Sequence, residues 1–198
     1  MNRKTTFFPP ILEKAKELVA SCVEEGDKVV DATVGNGHDT LFLAKLVGSE
    51  GVVYGFDIQK IALERTKARL QEAGLEDRVR LFHVGHEKMA EYVPKDVQVV
   101  MFNLGYLPRA DKSITTEGPT TIRAIKAALS LLKVGGLLLL VVYWGHDSGK
   151  IERKMVEEYV VTLPQQVYTV LRYQYINQVH SPPYIIAIEK RGEFEKKI

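Results

Sequence analysis

The two strand patterns nearest the C-terminus, Gln166–Ile176 and Tyr184–Lys190, are joined by a short link containing Pro182-Pro183. A link of that length cannot hold a crossover helix, so the two strands are expected to run antiparallel. The chain before them reads differently. Apolar runs at Lys28–Thr33, Val52–Ile58, Val79–Val84, Val97–Leu104 and Leu137–Trp144 alternate with helical patterns near His38–Val47, Lys60–Ala73, His86–Tyr92 and Thr120–Lys133. Continuous apolar stretches such as Val99-Val100-Met101-Phe102 suit parallel strands covered on both faces. A helix over about Pro10–Glu24, closed by Gly26, opens the chain, and another near Lys150–Leu163 precedes the hairpin.

This order predicts an α/β fold of the Rossmann-like class I methyltransferase kind. Its sheet has seven mostly parallel strands, a C-terminal antiparallel hairpin, and helices on both faces. A plain dinucleotide dehydrogenase has no such ending. The 198 residues, 45% of them apolar, suffice for one domain over 1–198. Within it, 1–26 form an N-terminal helical segment, 27–150 a cofactor-binding core, and 151–198 a helix plus hairpin. Cys22 is the single cysteine, so no disulfide framework is available within the chain. The longest apolar run, Leu137–Trp144, is too short to span a bilayer, and Met1–Thr6 lack the apolar core of a signal peptide. A cytoplasmic protein without a membrane partner is expected. A formal net charge of +2 is compatible with a nucleic-acid partner and does not by itself argue for one.

Three strand ends converge on S-adenosylmethionine as cofactor. The first carries Asp31-x-x-x-Gly35-x-Gly37 and leads into a helix near His38. A dinucleotide fingerprint needs a third glycine where Thr40 stands. Asp31 repels a pyrophosphate and suits the ammonium of a methionine moiety, while the helix start offers free N–H groups to its carboxylate. The second is Asp57, placed to accept ribose hydroxyls, with Gln59 bordering the adenine. The third is Gly85-His86-Glu87, where an adenine edge is reached.

The fourth strand ends at Asn103-Leu104-Gly105-Tyr106, which resembles the Asn/Asp-Pro-Pro-Tyr motif of amino-directed methyltransferases and departs from it at both prolines. Asn103 supplies a carbonyl acceptor for the N–H groups of a target nitrogen, and Tyr106 a ring on which a base stacks. The polar loop from Pro108 to Pro119 would act as a lid carrying Asp111 and Lys112 beside the methyl donor. The fifth strand ends at Tyr143-Trp144-Gly145-His146, which makes His146 a base or orienting group. His83 and His86 stand without cysteines and do not form a metal site.

Taken together, Asp31–Thr40, Asn103–Pro108, Asp111–Thr116, Val141–His146 and Ile176-Asn-Gln with Pro182-Pro183 resemble the MnmM family over essentially the whole chain. The resemblance implies methylation of the aminomethyl nitrogen at C5 of the tRNA wobble uridine, often a 2-thiouridine, with the anticodon loop as substrate. It also implies an S-adenosylmethionine site made of Asp31, Gly35, Asn36, Gly37, Asp39 and Thr40, with Asp57, Gln59, His86 and Asn103. An alkylamine with a pKa of about 10 is mostly protonated near neutrality, so the site must bind or generate the neutral form. Asp111, Tyr143 and His146 are the candidate proton acceptors. A homodimer would enlarge the RNA-binding surface. Two other readings are an rRNA base or small amine as acceptor, and a cofactor-binding protein without catalysis.

Overall fold

The computed structural model describes residues 7–105 and 115–193. Helix α1 (Ile11–Ala20) precedes β1 (Lys28–Asp31), α2 (His38–Leu46), β2 (Val52–Asp57), α3 (Lys60–Glu72), β3 (Val79–His83) and β4 (Val97–Leu104). Then come α4 (Gly118–Leu131), β5 (Leu132–Val142), α5 (Asp147–Val160), β6 (Tyr168–Tyr173) and β7 (Tyr184–Lys190). They form one seven-stranded sheet in the order β3-β2-β1-β4-β5-β7-β6. Strands β1 to β5 pair in parallel, and β7 runs antiparallel to both β5 and β6. The hairpin therefore folds back so that its second strand inserts beside β5. This is the class I methyltransferase topology.

Side chains alternate across a strand, so a strand covered on both faces must be apolar throughout. In β4, Val100, Phe102 and Leu104 enter one core beneath α4 and α5, while Val99 and Met101 enter the other beneath α1 and α2. Every one of these residues is fully buried. Each buried side chain of this size is worth about 1.5–3 kcal/mol relative to exposure.

The observed boundaries differ from the expected ones where pairing competes with local preference. Helix α4 stops at Leu131 because Leu132 pairs with Val97, while Leu137 pairs with Val99. The intervening residues bulge out, and the Gln98 side-chain amide donates to the Gly135 carbonyl at 3.2 Å. The stretch after β3 is a short 3-10 turn, His86–Glu91, followed closely by Pro94 and by Asp96 at φ 69°. Strand β6 ends at Tyr173, and Tyr175 turns away to donate to the Pro9 carbonyl on the N-terminal segment.

Gly37 caps α2 at φ 77°, in the left-handed region. A Cβ there would lie 2.6 Å from Thr66 Oγ1 on α3. Gly37→Ala is expected to lower the unfolding free energy by about 2 kcal/mol or more, from backbone strain plus overpacking. Urea titration reads this as a lower midpoint at unchanged slope. An unchanged midpoint would mean that α3 does not close over this turn.

Candidate active site

The carboxyl ends of β1, β2, β4 and β5 open into one cleft of about 930 Å³. Such edges are where open α/β sheets bind ligands, and the volume suits a cofactor-sized molecule. Gly35, Asn36, Asp39, Asp57, Gln59, His86, Asn103, Tyr143 and His146 all line it. Asp31, Gly37 and Thr40 do not, and stand behind the loop. Tyr106 and Asp111 lie outside the described residues, as does most of the loop read as a lid.

The turn after β1 is held from below. Asp31 is fully buried, and its carboxylate accepts from Thr40 Oγ1 at 2.6 Å and from the Thr33 amide at 3.1 Å. It thus staples the strand end to α2, where a direct contact with ligand was expected. Thr33 Oγ1 in turn accepts from the Asn103 amide at 2.7 Å, joining the ends of β1 and β4. From the side, Arg69 donates to the Asn36 carbonyl at 3.0 Å and Arg65 to the Asn36 side chain at 3.2 Å. No side chain caps α2 at Gly37, which leaves the first-turn amides available to an anion.

Asp57 uses both oxygens on backbone. Oδ2 accepts from the Gly35 amide at 2.9 Å and Oδ1 from the Gln59 amide at 2.8 Å. Each carboxylate oxygen retains a lone pair for a hydroxyl donor. His86 Nδ1 lies 3.2 Å from the Ala32 carbonyl oxygen, which can only accept, so Nδ1 carries the proton and Nε2 remains an acceptor. Burial holds the His86 pKa below its ordinary value, keeping the ring neutral. Beside it, Glu87 Oε2 is buried without a hydrogen-bond partner.

Asn103 Nδ2 donates to Asp39 Oδ2 at 2.8 Å, and Asp39 Oδ1 pairs with Lys16 Nζ at 3.2 Å. An ionised carboxylate only accepts, so the amide nitrogen must face Asp39, and Asn103 Oδ1 remains to receive another donor. Tyr143 lies close by. Burial first, and the Asp39 charge second, push its phenol up to about 12, so it keeps its proton at neutral pH. His146 Nε2 lies 3.4 Å from Thr115 Oγ1, and a Cβ on Gly149 would meet its ring at 2.7 Å.

The far side of the cleft is tied to α5. The Thr116 amide donates to the Gly105 carbonyl at 3.0 Å, and Thr116 Oγ1 donates to buried Glu152 at 2.7 Å. Thr121 donates to the other oxygen of Glu152 at 2.5 Å. The Trp144 indole donates to the Pro182 carbonyl at 2.9 Å, which holds Ser181 at the rim. Lys16, Leu12 and Ser181 are lining residues that the sequence reading missed, while Thr115 and Thr116 belong to the loop expected to act as a lid. Leu12 and Lys16 are one helical turn apart on α1, and that spacing was the available signal. Among the described residues no three His, Cys, Asp or Glu side chains converge to hold a metal ion, and no helix is long and apolar enough to cross a membrane.

Burial, then the nearby Asp39 charge, raises the Asp31 pKa to about 7 from 3.8. The folded state therefore binds more protons than the unfolded chain between those values, so stability falls as pH rises through that window. The stability Asp31 contributes is therefore complete below about pH 4 and is lost progressively as pH rises to about 7. Denaturant melts of Asp31→Asn across this range should show a flatter pH dependence than wild type. Parallel curves would place the Asp31 carboxylate in a more polar setting.

Residues 53–189 match the family model described as "Putative rRNA methylase". An Arabidopsis thaliana protein named "tRNA (mnm(5)s(2)U34)-methyltransferase, chloroplastic" is 43% identical over 180 residues, covering 86% of this chain. The chain spans 66% of that relative's length. The crystal structure of a "putative rRNA-methylase" from Clostridium thermocellum superposes with a TM-score of 0.92 at 44% identity, over 93% of this chain and 100% of that one. A Streptococcus mutans "putative methyltransferase" in complex with SAH gives 0.86 at 37% identity, over 93% and 99%. With the family model matching most of this chain, on the fold and cleft just described, the chain belongs to this rRNA methylase family.

Proposed function

We propose that the chain is an S-adenosylmethionine-dependent N-methyltransferase. It converts 5-aminomethyl-(2-thio)uridine to 5-methylaminomethyl-(2-thio)uridine at the tRNA wobble position. The observation that carries this reading is the Asn103 amide, pinned through its nitrogen by Asp39 so that Oδ1 is left to accept from an N–H donor. The sequence resemblance and the tRNA-directed relative point to the same acceptor.

The residues present fit the cofactor. Asp39, Asp57 and Glu87 make the cleft acidic, which suits a molecule with a sulfonium and an ammonium, and the orphaned Glu87 Oε2 suits an amino donor. Asp57 with Gln59 would hold the ribose side, His86 and Glu87 the adenine, and Gly35, Asn36 and Asp39 the remainder. Asp31, Gly37 and Thr40 would act by shaping the turn. When bound, the cofactor supplies an electrophilic methyl group.

For the acceptor, Asn103 Oδ1 orients the amine, and Tyr106 offers a stacking ring. Burial depresses the amine pKa toward the neutral, reactive form. Tyr143 keeps its own proton and donates, while His146 receives the proton released by the amine, with Asp111 as the other acceptor. The anticodon loop would enter over the rim that carries Ser181, Thr115 and Thr116. A splayed base with a few phosphate contacts needs no large basic platform, in keeping with a net charge of +2.

The continuous sheet supports reading residues 1–198 as one methyltransferase domain with the subdivisions given above. Phe7, Phe8, Ile176 and Val179 stand exposed, and a homodimer would cover apolar side chains of this kind. A single cysteine and a tRNA substrate support a cytoplasmic site of action.

Nucleoside mass spectrometry of cells lacking the protein is expected to show accumulated 5-aminomethyl-(2-thio)uridine in tRNA and loss of its methylated form. Unchanged tRNA with an altered rRNA nucleoside would contradict the reading. His146→Ala is expected to lower turnover about 100-fold or more, with cofactor affinity within a few fold. Single-turnover methylation and SAH titration check this. Unchanged turnover would remove His146 from proton transfer.

A further inference from the structure

Among the described residues lining the cleft, Lys16 is the only lysine or arginine. The carboxylates facing the same space are Asp39, Asp57, Glu87 and Glu117. A cationic ligand group therefore has several partners to choose from, while a ligand carboxylate has one permanent cation. Lys16 is set for that task. Its α1 backbone is fixed by Ile11, Ala15 and Val19, which are buried against the sheet. Its Nζ lies over the Phe42 ring of α2, 5.3 Å from the centroid, and 3.2 Å from Asp39 Oδ1. The ammonium has three donors, and its side chain keeps 37% exposure toward the opening, so the ion pair does not exhaust it.

We propose that Lys16 and Asp39 are the two poles that hold the amino-acid end of the cofactor. Lys16 receives the α-carboxylate and Asp39 the α-ammonium. This rests on the cofactor reading above and adds a residue from α1 to the site. Two opposite charges 3.2 Å apart are complementary to a zwitterion whose own poles are joined through one carbon. The α2 first-turn amides, uncapped beside Asp39, reinforce the anionic pole. The assignment also fixes polarity. The amino-acid tail points toward α1, and the adenosyl end toward Asp57 and Glu87. Because Asp39 Oδ2 also accepts from Asn103, the tail then sits one residue from the group that orients the acceptor.

The test is calorimetric titration of wild type, Lys16→Met and Lys16→Arg with two ligands. S-adenosylhomocysteine carries the amino-acid tail, and 5′-methylthioadenosine carries the adenosine and sulfur without it. Lys16→Met is expected to weaken S-adenosylhomocysteine about 10-fold or more while leaving 5′-methylthioadenosine within about 2-fold, and Lys16→Arg to recover most of the loss. Equal losses for both ligands, or undiminished S-adenosylhomocysteine affinity in Lys16→Met, would overturn the proposal. Should Lys16→Met lose its cooperative melt, Lys16→Gln takes its place under the same criteria. Wild type that binds neither ligand would instead defeat the cofactor reading and leave the two failures distinguishable.

Discussion

One carboxylate joins the elements that the cleft depends on. Asp39 stands in the first turn of α2, takes the Lys16 ammonium from α1 on one oxygen and the Asn103 amide from β4 on the other. The charge-assisted hydrogen bond from Asn103 is worth about 1.5–3 kcal/mol, and the partly exposed Lys16 ion pair about 1 kcal/mol or less. The consequence for function is orientational. With its nitrogen committed to Asp39, Asn103 offers its carbonyl oxygen, which can receive a donor such as the N–H of an amine.

The same cluster concentrates negative charge around the cleft. Asp31, Asp39 and Asp57 approach one another behind and around the β1 turn, and the raised Asp31 pKa records both burial and that crowding. A ligand carrying positive charge relieves it, whereas a pyrophosphate would add to it. This single sign separates the methyl-donor reading from a dinucleotide one, although both use glycines at the end of the first strand. The fold supplies the placement. Parallel strands put β1, β2, β4 and β5 tips on one edge, and the reversed β7 brings Ser181 and the Trp144–Pro182 link to the same rim.

Much of this was legible in the sequence because the covering of both sheet faces leaves strands with unbroken apolar runs. β4 and β7 were read to their observed ends for that reason. The antiparallel hairpin followed from a link too short for a helix. What could not be read was pairing that begins inside a helical pattern, as at Leu132, and backbone exits such as Tyr175, where a tertiary hydrogen bond decides. In the site, residues at strand tips were legible because topology alone sends them to one edge. The capture of both Asp31 oxygens by Thr33 and Thr40 was not, since Thr40 reaches it only once α2 has packed. Lys16 was missed because one lysine on an amphipathic helix looks like solvated surface until α1 is laid across the cleft mouth.

The most direct test of the account is transfer of a trideuterated methyl group from S-adenosylmethionine by the purified protein to tRNA bearing 5-aminomethyluridine at the wobble position. A labelled 5-methylaminomethyluridine is expected, with the label on the exocyclic nitrogen in fragment spectra and strongly reduced in Asn103→Ala. Label on a ring nitrogen, on carbon or on ribose, or full transfer by Asn103→Ala, would contradict it.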